Sequence, residues 1–160
     1  MQIGNATVWT LVSATAKLLR DAGVGAGSAL NCTVVEGYPT EKVDRLPLVA
    51  IVKADDHNFP VSLGRIGGGK DYLIAVNIWG NTLAEAREIG DLIQTGMEFQ
   101  STGGTFRIYD FGADKPEEHI LGTGQTEVES IVAAEQVDPE DIDAPTVVIL
   151  IPILVYVVAK

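Results

Sequence analysis

Cysteine is almost absent from this sequence: Cys32 is the single one among 160 residues. No disulfide can form within the chain, and no zinc site can be built from cysteines. Cys32 stands in the apolar run Cys32-Thr33-Val34-Val35, which marks a buried thiol rather than a nucleophile. Histidine is nearly as scarce, with only His57 and His119. So few imidazoles and thiols leave little from which to assemble an acid–base pair or an activated nucleophile. Ser62, Ser101 and Ser130 have no nucleophile-elbow pattern around them. The expectation is a protein that is not an enzyme and holds no cofactor.

Positive charge is also thin, and it is missing altogether from one stretch. Residues 116–159 carry nine acids and no Lys or Arg, within a chain of 22 acids, 11 bases and net charge −11. The other residues are close to balance. An acidic surface of this kind repels phosphate and disfavours tight binding in a nucleic-acid groove. Its plain reading is solubility; its sharper one is a surface that faces DNA without adhering to it. No apolar run is long enough for a membrane helix. The greasiest, 147–159, is shorter than the roughly 18–20 residues needed, is broken by Pro152, and is dominated by Val and Ile, which fits a strand. The first twenty residues lack the basic start and apolar block of a secretory leader, so the sequons at Asn5 and Asn31 carry little meaning. What remains, 46% apolar residues over 160 positions, is enough for one folded domain with its own core.

Periodicity gives the elements. Val8, Leu11, Val12, Thr15, Leu18, Leu19 and Ala22 recur at helical spacing, which predicts a helix over 8–22, started by Asn5 or Thr7 and ended by Gly23. Strands are predicted over 30–36 and 46–53, then a polar loop at Asp55-Asp56-His57-Asn58, a weak strand at 61–66, and a strong strand over 71–79. In the last, Tyr72, Ile74, Val76 and Ile78 share one face, and Leu73, Ala75, Asn77 and Trp79 the other. Thr82-Leu83-Ala84-Glu85 is a capping box opening a second helix over 82–99, with Gly90 inside its apolar stripe as a point of close packing. A strand at 105–111, mostly loop with a short strand at 119–121, an acidic connector at 135–145 and a last strand at 146–158 complete a single domain over 1–160. Strands joined by short turns predict an α+β fold, mainly an antiparallel sheet with two helices packed on one face.

Two segments invite a chemical reading. Gly64-Arg65-Ile66-Gly67-Gly68-Gly69-Lys70 matches the Gly-x4-Gly-Lys core of a phosphate-binding loop, but Asp71 stands where that loop needs Ser or Thr, and a strand follows rather than a helix. The plain alternative is a hairpin tip whose glycines permit unusual backbone angles. Asp55, Asp56, His57 and Asn58 offer metal-ligand atoms, yet four adjacent residues cannot all face one ion and the spacing fits no calcium loop; a solvated turn accounts for them. His119 has no visible partner. Glu127 and Glu129 read as a wet strand face.

The last strand is apolar on both sides, with Val148, Leu150, Leu154 and Tyr156 on one and Ile149, Ile151, Ile153 and Val155 on the other. A sheet with helices on one side leaves its second face polar, so two such strands call for a further cover, and a neighbouring subunit is the simplest. The element order resembles that of tail terminator and tail completion proteins of long-tailed bacteriophages. The residues carrying the resemblance are the helix over 8–22, Leu46-Pro47-Leu48-Val49-Ala50-Ile51-Val52, the glycine-tipped stretch before 71–79, the helix over 83–93 and the late strands. The resemblance implies a hexameric ring in the virion that caps the tail tube protein, ends its polymerisation, docks the head–tail connector and passes DNA through its bore without specific binding. It implies assembly in the host cytoplasm, no membrane partner and no catalytic residues. Under it, Ile149, Ile151 and Ile153 are expected at the subunit interface. The loops carrying Gly67, Gly68, Gly69, Lys70, Arg65, Asp55 and Asp56 are expected to reach a neighbour or the tube. Alternatives at this point are another neck or head–tail joining ring protein, a small-ligand or nucleotide-binding domain using 64–70, and an enzyme with an unrecognised site.

Overall fold

The structure, a computed structural model, describes residues 2–23, 32–37, 47–59, 69–101, 106–126, 132–135 and 147–157. In chain order its elements are α1 (Ile3–Asp21), β1 (Thr33–Glu36), β2 (Leu48–Phe59), β3 (Gly69–Trp79), α2 (Leu83–Ser101), β4 (Phe106–Tyr109), a 3-10 turn at Pro116–Glu118, β5 (Ile120–Thr126), β6 (Val132–Glu135) and β7 (Val147–Val157). The seven strands form one sheet in the order β1-β2-β3-β7-β5-β4, with β6 paired to β7 as well. Only β1 and β2 run parallel; the other neighbours are antiparallel. The helices pack on one face, as expected for the α+β class. α1 touches both edge strands, β1 and β4, so the sheet curls around it.

α1 starts earlier than the apolar stripe suggests. Gln2 is its N-cap and makes no side-chain capping bond. Thr7, expected as a cap, instead lies inside the helix and donates its hydroxyl back to Ile3 O at 2.7 Å; Thr10 does the same to Ala6 O at 2.7 Å. Both hydroxyls are thereby satisfied in a buried helix. Gly4 makes room in the first turn: a Cβ there would meet Lys53 Nζ at 3.2 Å and the Tyr72 hydroxyl at 3.4 Å. Gly23 adopts φ +81° beyond the last turn, and its N–H reaches Arg20 O at 3.0 Å, the glycine-ended helix stop that the sequence suggests.

β2 is the largest departure from expectation. The polar stretch read as a loop, with Asp55, Asp56, His57 and Asn58, is strand: Asp55 pairs with Leu73, Asp56 with Tyr72, His57 with Asp71 and Asn58 with Lys70. Polar composition does not prevent pairing when an apolar partner strand supplies the packing. The register slips between Lys53 and Asp55, so Ala54 is the extra residue of a bulge. β5 likewise runs past the short strand expected at 119–121 to Thr126, into residues expected to be loop.

β7 sits at the centre. β3 occupies one side of it from Val147 to Tyr156. On the other side β6 pairs with Val147 to Leu150 and β5 with Ile153 to Val157. Ile151 and Pro152 fall in the interval between those two partners. Proline lacks an N–H and is excluded from fully paired central strands; among the described residues, no strand pairs with Pro152 on that flank.

The core lies between the sheet and the helices. Tyr72, Ile74, Val76 and Ile78 of β3 are buried beside Ile149, Ile151 and Ile153 of β7, under Leu11, Ile89 and Ile93 from the helices. The two helices are in contact, with Gly96 of α2 against Leu18 of α1. Gly90 packs on the sheet as anticipated, with a Cβ position 3.4 Å from Val147 Cγ1 and 3.5 Å from Ile78 Cδ1.

Candidate functional site: the outer face of the sheet

Strand register divides every strand residue between the helix-covered face and the outer face. Ile149, Ile151 and Ile153, expected at a subunit interface, pair with Val76, Ile74 and Tyr72 and are fully buried in the chain's own core. That expectation is corrected: both rows of β7 are apolar in sequence, and the helices claim the odd-numbered one. The even-numbered row, Val148, Leu150, Pro152, Leu154 and Tyr156, lies on the outer face and is half-buried.

The outer face has two halves. At one end, Leu48, Ala50 and Trp79 form a small buried cluster with Val35 packed on it. Asn77 beside them is buried and donates its amide to Ala50 O at 3.3 Å, a polar group satisfied within the sheet. At the other end the face is more open. Asp71 and Leu73 of β3, Pro152, Leu154 and Tyr156 of β7 and Thr123 of β5 are half-buried, while Gln125 and Arg107 are exposed.

Of the Gly-x4-Gly-Lys segment, only Gly69 and Lys70 are described. Gly69 and Lys70 open β3, Gly69 paired with Phe59 and Tyr156, and Lys70 with Asn58 and Val155. No helix follows to direct N–H groups at an anion. Arg65, Gly67 and Gly68 lie outside the described residues. Asp55 and Asp56 are placed by their backbone on β2, and among the described residues no group of His, Cys, Asp or Glu could hold a metal ion. Of the acidic connector expected at 135–145, Glu135 instead ends β6, and the rest lies outside the described residues, as do Glu127 and Glu129.

Cys32 behaves as its sequence context suggests. It is buried, and burial, with the Glu85 carboxylate adding to it, pushes the thiol up to about 11. A thiol held in its protonated form is a poor nucleophile. Glu85 belongs to the capping box, in a variant form. Its N–H donates to Thr82 Oγ1 at 3.1 Å, while its carboxylate accepts the backbone and side-chain N–H of Asn81, both at 3.0 Å. His119, exposed, holds the β4–β5 connection through its carbonyl, which accepts the Asp110 N–H at 2.9 Å. The Asp110 carboxyl is held below its ordinary range by the Gly112 N–H first of all. These are turn-forming contacts. A shallow open depression along α2, lined by Ala84, Arg87, Glu88, Asp91, Leu92 and Thr95, brings together no nucleophile and base. No helix among the described residues is long and apolar enough to cross a membrane.

Compared with models of known protein families and with curated protein sequences, the chain matches none.

Proposed function

We propose that this protein is structural rather than enzymatic: a self-assembling ring component of a long-tailed phage tail, capping the tail tube and offering a docking surface to the head connector. The observation that carries the reading is the outer row of β7, Val148, Leu150, Pro152, Leu154 and Tyr156. It is an uncharged apolar stripe left half-buried on the face that the helices do not cover. Apolar surface of this kind on a sheet marks a contact with another chain. The curled α+β sheet with both helices on one side supports it, because no helix among the described residues covers the other side. Six copies at net charge −11 each would line a bore with negative charge, which suits passage of DNA without adhesion.

The test is mass in solution, followed by imaging of the purified protein alone and with tail tubes. A ring of six runs at about 100 kDa, six times the 17.0 kDa chain, and shows an open centre. Added to polymerising tube protein, it stops growth. A protein that stays at the mass of one chain both free and on tubes, and leaves tube length unchanged, overturns the reading. Nucleotide titration with wild type and Lys70→Ala checks the ligand-binding alternative; saturable binding abolished by the substitution would support that alternative.

A further inference from the structure

Across β3, β7, β5 and β4 the more open half of the outer face carries one acid and one base, placed at opposite ends of an uncharged row; β2, beyond β3, adds Asp55, which the register sets opposite Leu73. Asp71 stands on β3 and faces Leu154 of β7, which faces Gln125 of β5. One row along, Tyr156 of β7 faces Thr123 of β5, which faces Arg107 of β4. Arg107 lies between Phe106, packed against the core, and Ile108, fully buried in it, so its side chain projects from the outer face. Asp71 alternates with buried Tyr72 and projects the same way. Neither forms an ion pair among the described residues.

Two strands, β7 and β5, separate β3 from β4, so the two charges stand roughly 14 Å apart across the sheet. From this arrangement we infer that the open half of the outer face is a two-fold contact with a second copy of this chain. A two-fold axis running along the strands between β7 and β5 lays β3 of one copy over β4 of the other. Asp71 then faces the second copy's Arg107, and Arg107 faces its Asp71. Leu154 and Tyr156 of each copy settle on the stems of Gln125 and Thr123 opposite. Face-to-face sheets pack about 10 Å apart, a gap that an arginine and an aspartate, one row apart, span together. An isologous contact needs a self-complementary patch, and an acid and a base set symmetrically about an uncharged centre are such a patch. Like charge works against contact between copies elsewhere, most of all around residues 116–159, where the chain's excess of acids over bases is concentrated. The pairing of Asp71 with Arg107 across the axis offsets that repulsion here. The contact does not rest on the phage reading, since paired copies either remain dimers or form part of a larger assembly.

Charge reversal tests it. Wild type is expected at about 34 kDa, twice 17.0 kDa, or an even multiple. Asp71→Arg puts two Arg–Arg contacts in each pair, and Arg107→Glu puts two carboxylate contacts in each; either alone weakens association at least about tenfold. An equimolar mixture of the two variants restores it. In a mixed pair the two introduced charges, opposite in sign, meet at one contact, and the native Asp71 and Arg107 meet at the other. Circular dichroism and melting of each variant establish that the fold is intact. Asp71→Asn, which removes charge without reversing it, gives a smaller loss and serves if a reversal variant does not fold. Variants that keep the wild-type mass at every concentration, or a mixture that recovers nothing, overturn the two-fold contact. A hexamer indifferent to both reversals would do so while leaving the ring reading standing. A wild type that is a single chain at high concentration removes the two-fold contact outright.

Discussion

At the scale of single residues, two buried side chains make quantitative demands. Thr15 is fully buried in α1, and its hydroxyl has no hydrogen-bond partner. Its neighbours Thr7 and Thr10 bond back to the preceding turn; Thr15 does not. An unpaired buried hydroxyl costs about 1–3 kcal/mol. Thr15→Val keeps the shape and the branching while removing the polar atom, so it is expected to stabilise the protein by about 1 kcal/mol and raise Tm by about 2–4 °C, read by calorimetry. Cys32 gives a pH signature. Its thiol is raised from the ordinary 9.0 to about 11 by burial and by Glu85. Below pH 9 both folded and unfolded chains hold the proton, and the thiol has no effect on the pH dependence. Between pH 9 and 11 the unfolded chain releases it and the folded chain does not, so stability falls as pH rises, by roughly 2–3 kcal/mol in all. Denaturant titrations at pH 8 and pH 11 on wild type and Cys32→Ala should differ by that amount in their pH dependence. An equal slope for both would show that the thiol is not desolvated. The burial of Cys32 is legible from its apolar run; the unpaired hydroxyl of Thr15 is not, because sequence gives no hint of which threonines find a carbonyl.

At the scale of elements, the two glycines of α2 separate helix propensity from packing. A methyl added at Gly90 lands in ordinary contact, 3.4 Å from Val147 Cγ1. Gly90→Ala is therefore expected to gain about 0.5–1 kcal/mol from helix propensity. At Gly96 the same methyl runs into Leu18, 2.7 Å from Cδ1 and 3.0 Å from Cγ, so α1 and α2 must separate or Leu18 must turn. Gly96→Ala is expected to destabilise by about 1–3 kcal/mol despite the better propensity, and less so with Leu18→Ala in the same chain, a non-additivity that thermal melts would detect. Strands and helices with clear alternation, such as β3 and α2, are readable from the sequence alone. The start of α1 is not, because Ile3 to Thr7 is held by burial of Gly4 and by hydroxyls bonding backwards. The outer half of β2 escapes a sequence reading because Asp55 to Asn58 carry turn-favouring side chains, and only the partner strand β3 makes them a ladder. The side of β7 that meets the helices is undecidable in sequence, since both rows are branched and apolar; strand register settles it and moves Ile149, Ile151 and Ile153 into the core.

At the scale of the whole molecule, the α+β class with two helices on one face can be read from element order, but the sheet order cannot. Asp71 and Arg107 are far apart in sequence and lie on strands with no pairing to one another. Nothing short of the full topology places them at two ends of one face, so the sequence offers no reason to single them out. The same holds for Pro152, which reads as an interruption and falls, among the described residues, in the interval between the β5 and β6 pairings of β7. Assembly belongs to this scale too. Because Leu154 lies at the middle of the open half, Leu154→Lys is expected to leave the melting of the isolated chain within about 1 kcal/mol of wild type while lowering the mass seen by light scattering. Unchanged mass would count against any use of this face.

The position of β7 has a consequence for how the chain comes to be folded. It is the last strand in chain order among those described, yet it is the only link between the β1-β2-β3 ladder and the β5-β4 hairpin. Until it arrives, a nascent chain holds two sheet fragments with facing edges unsealed, and pairings that span long sequence distances form slowly. Synthesis must therefore pass Val157 before the halves can join. A chain that lacks β7 should persist as adhesive fragments, the kind that chaperones shelter.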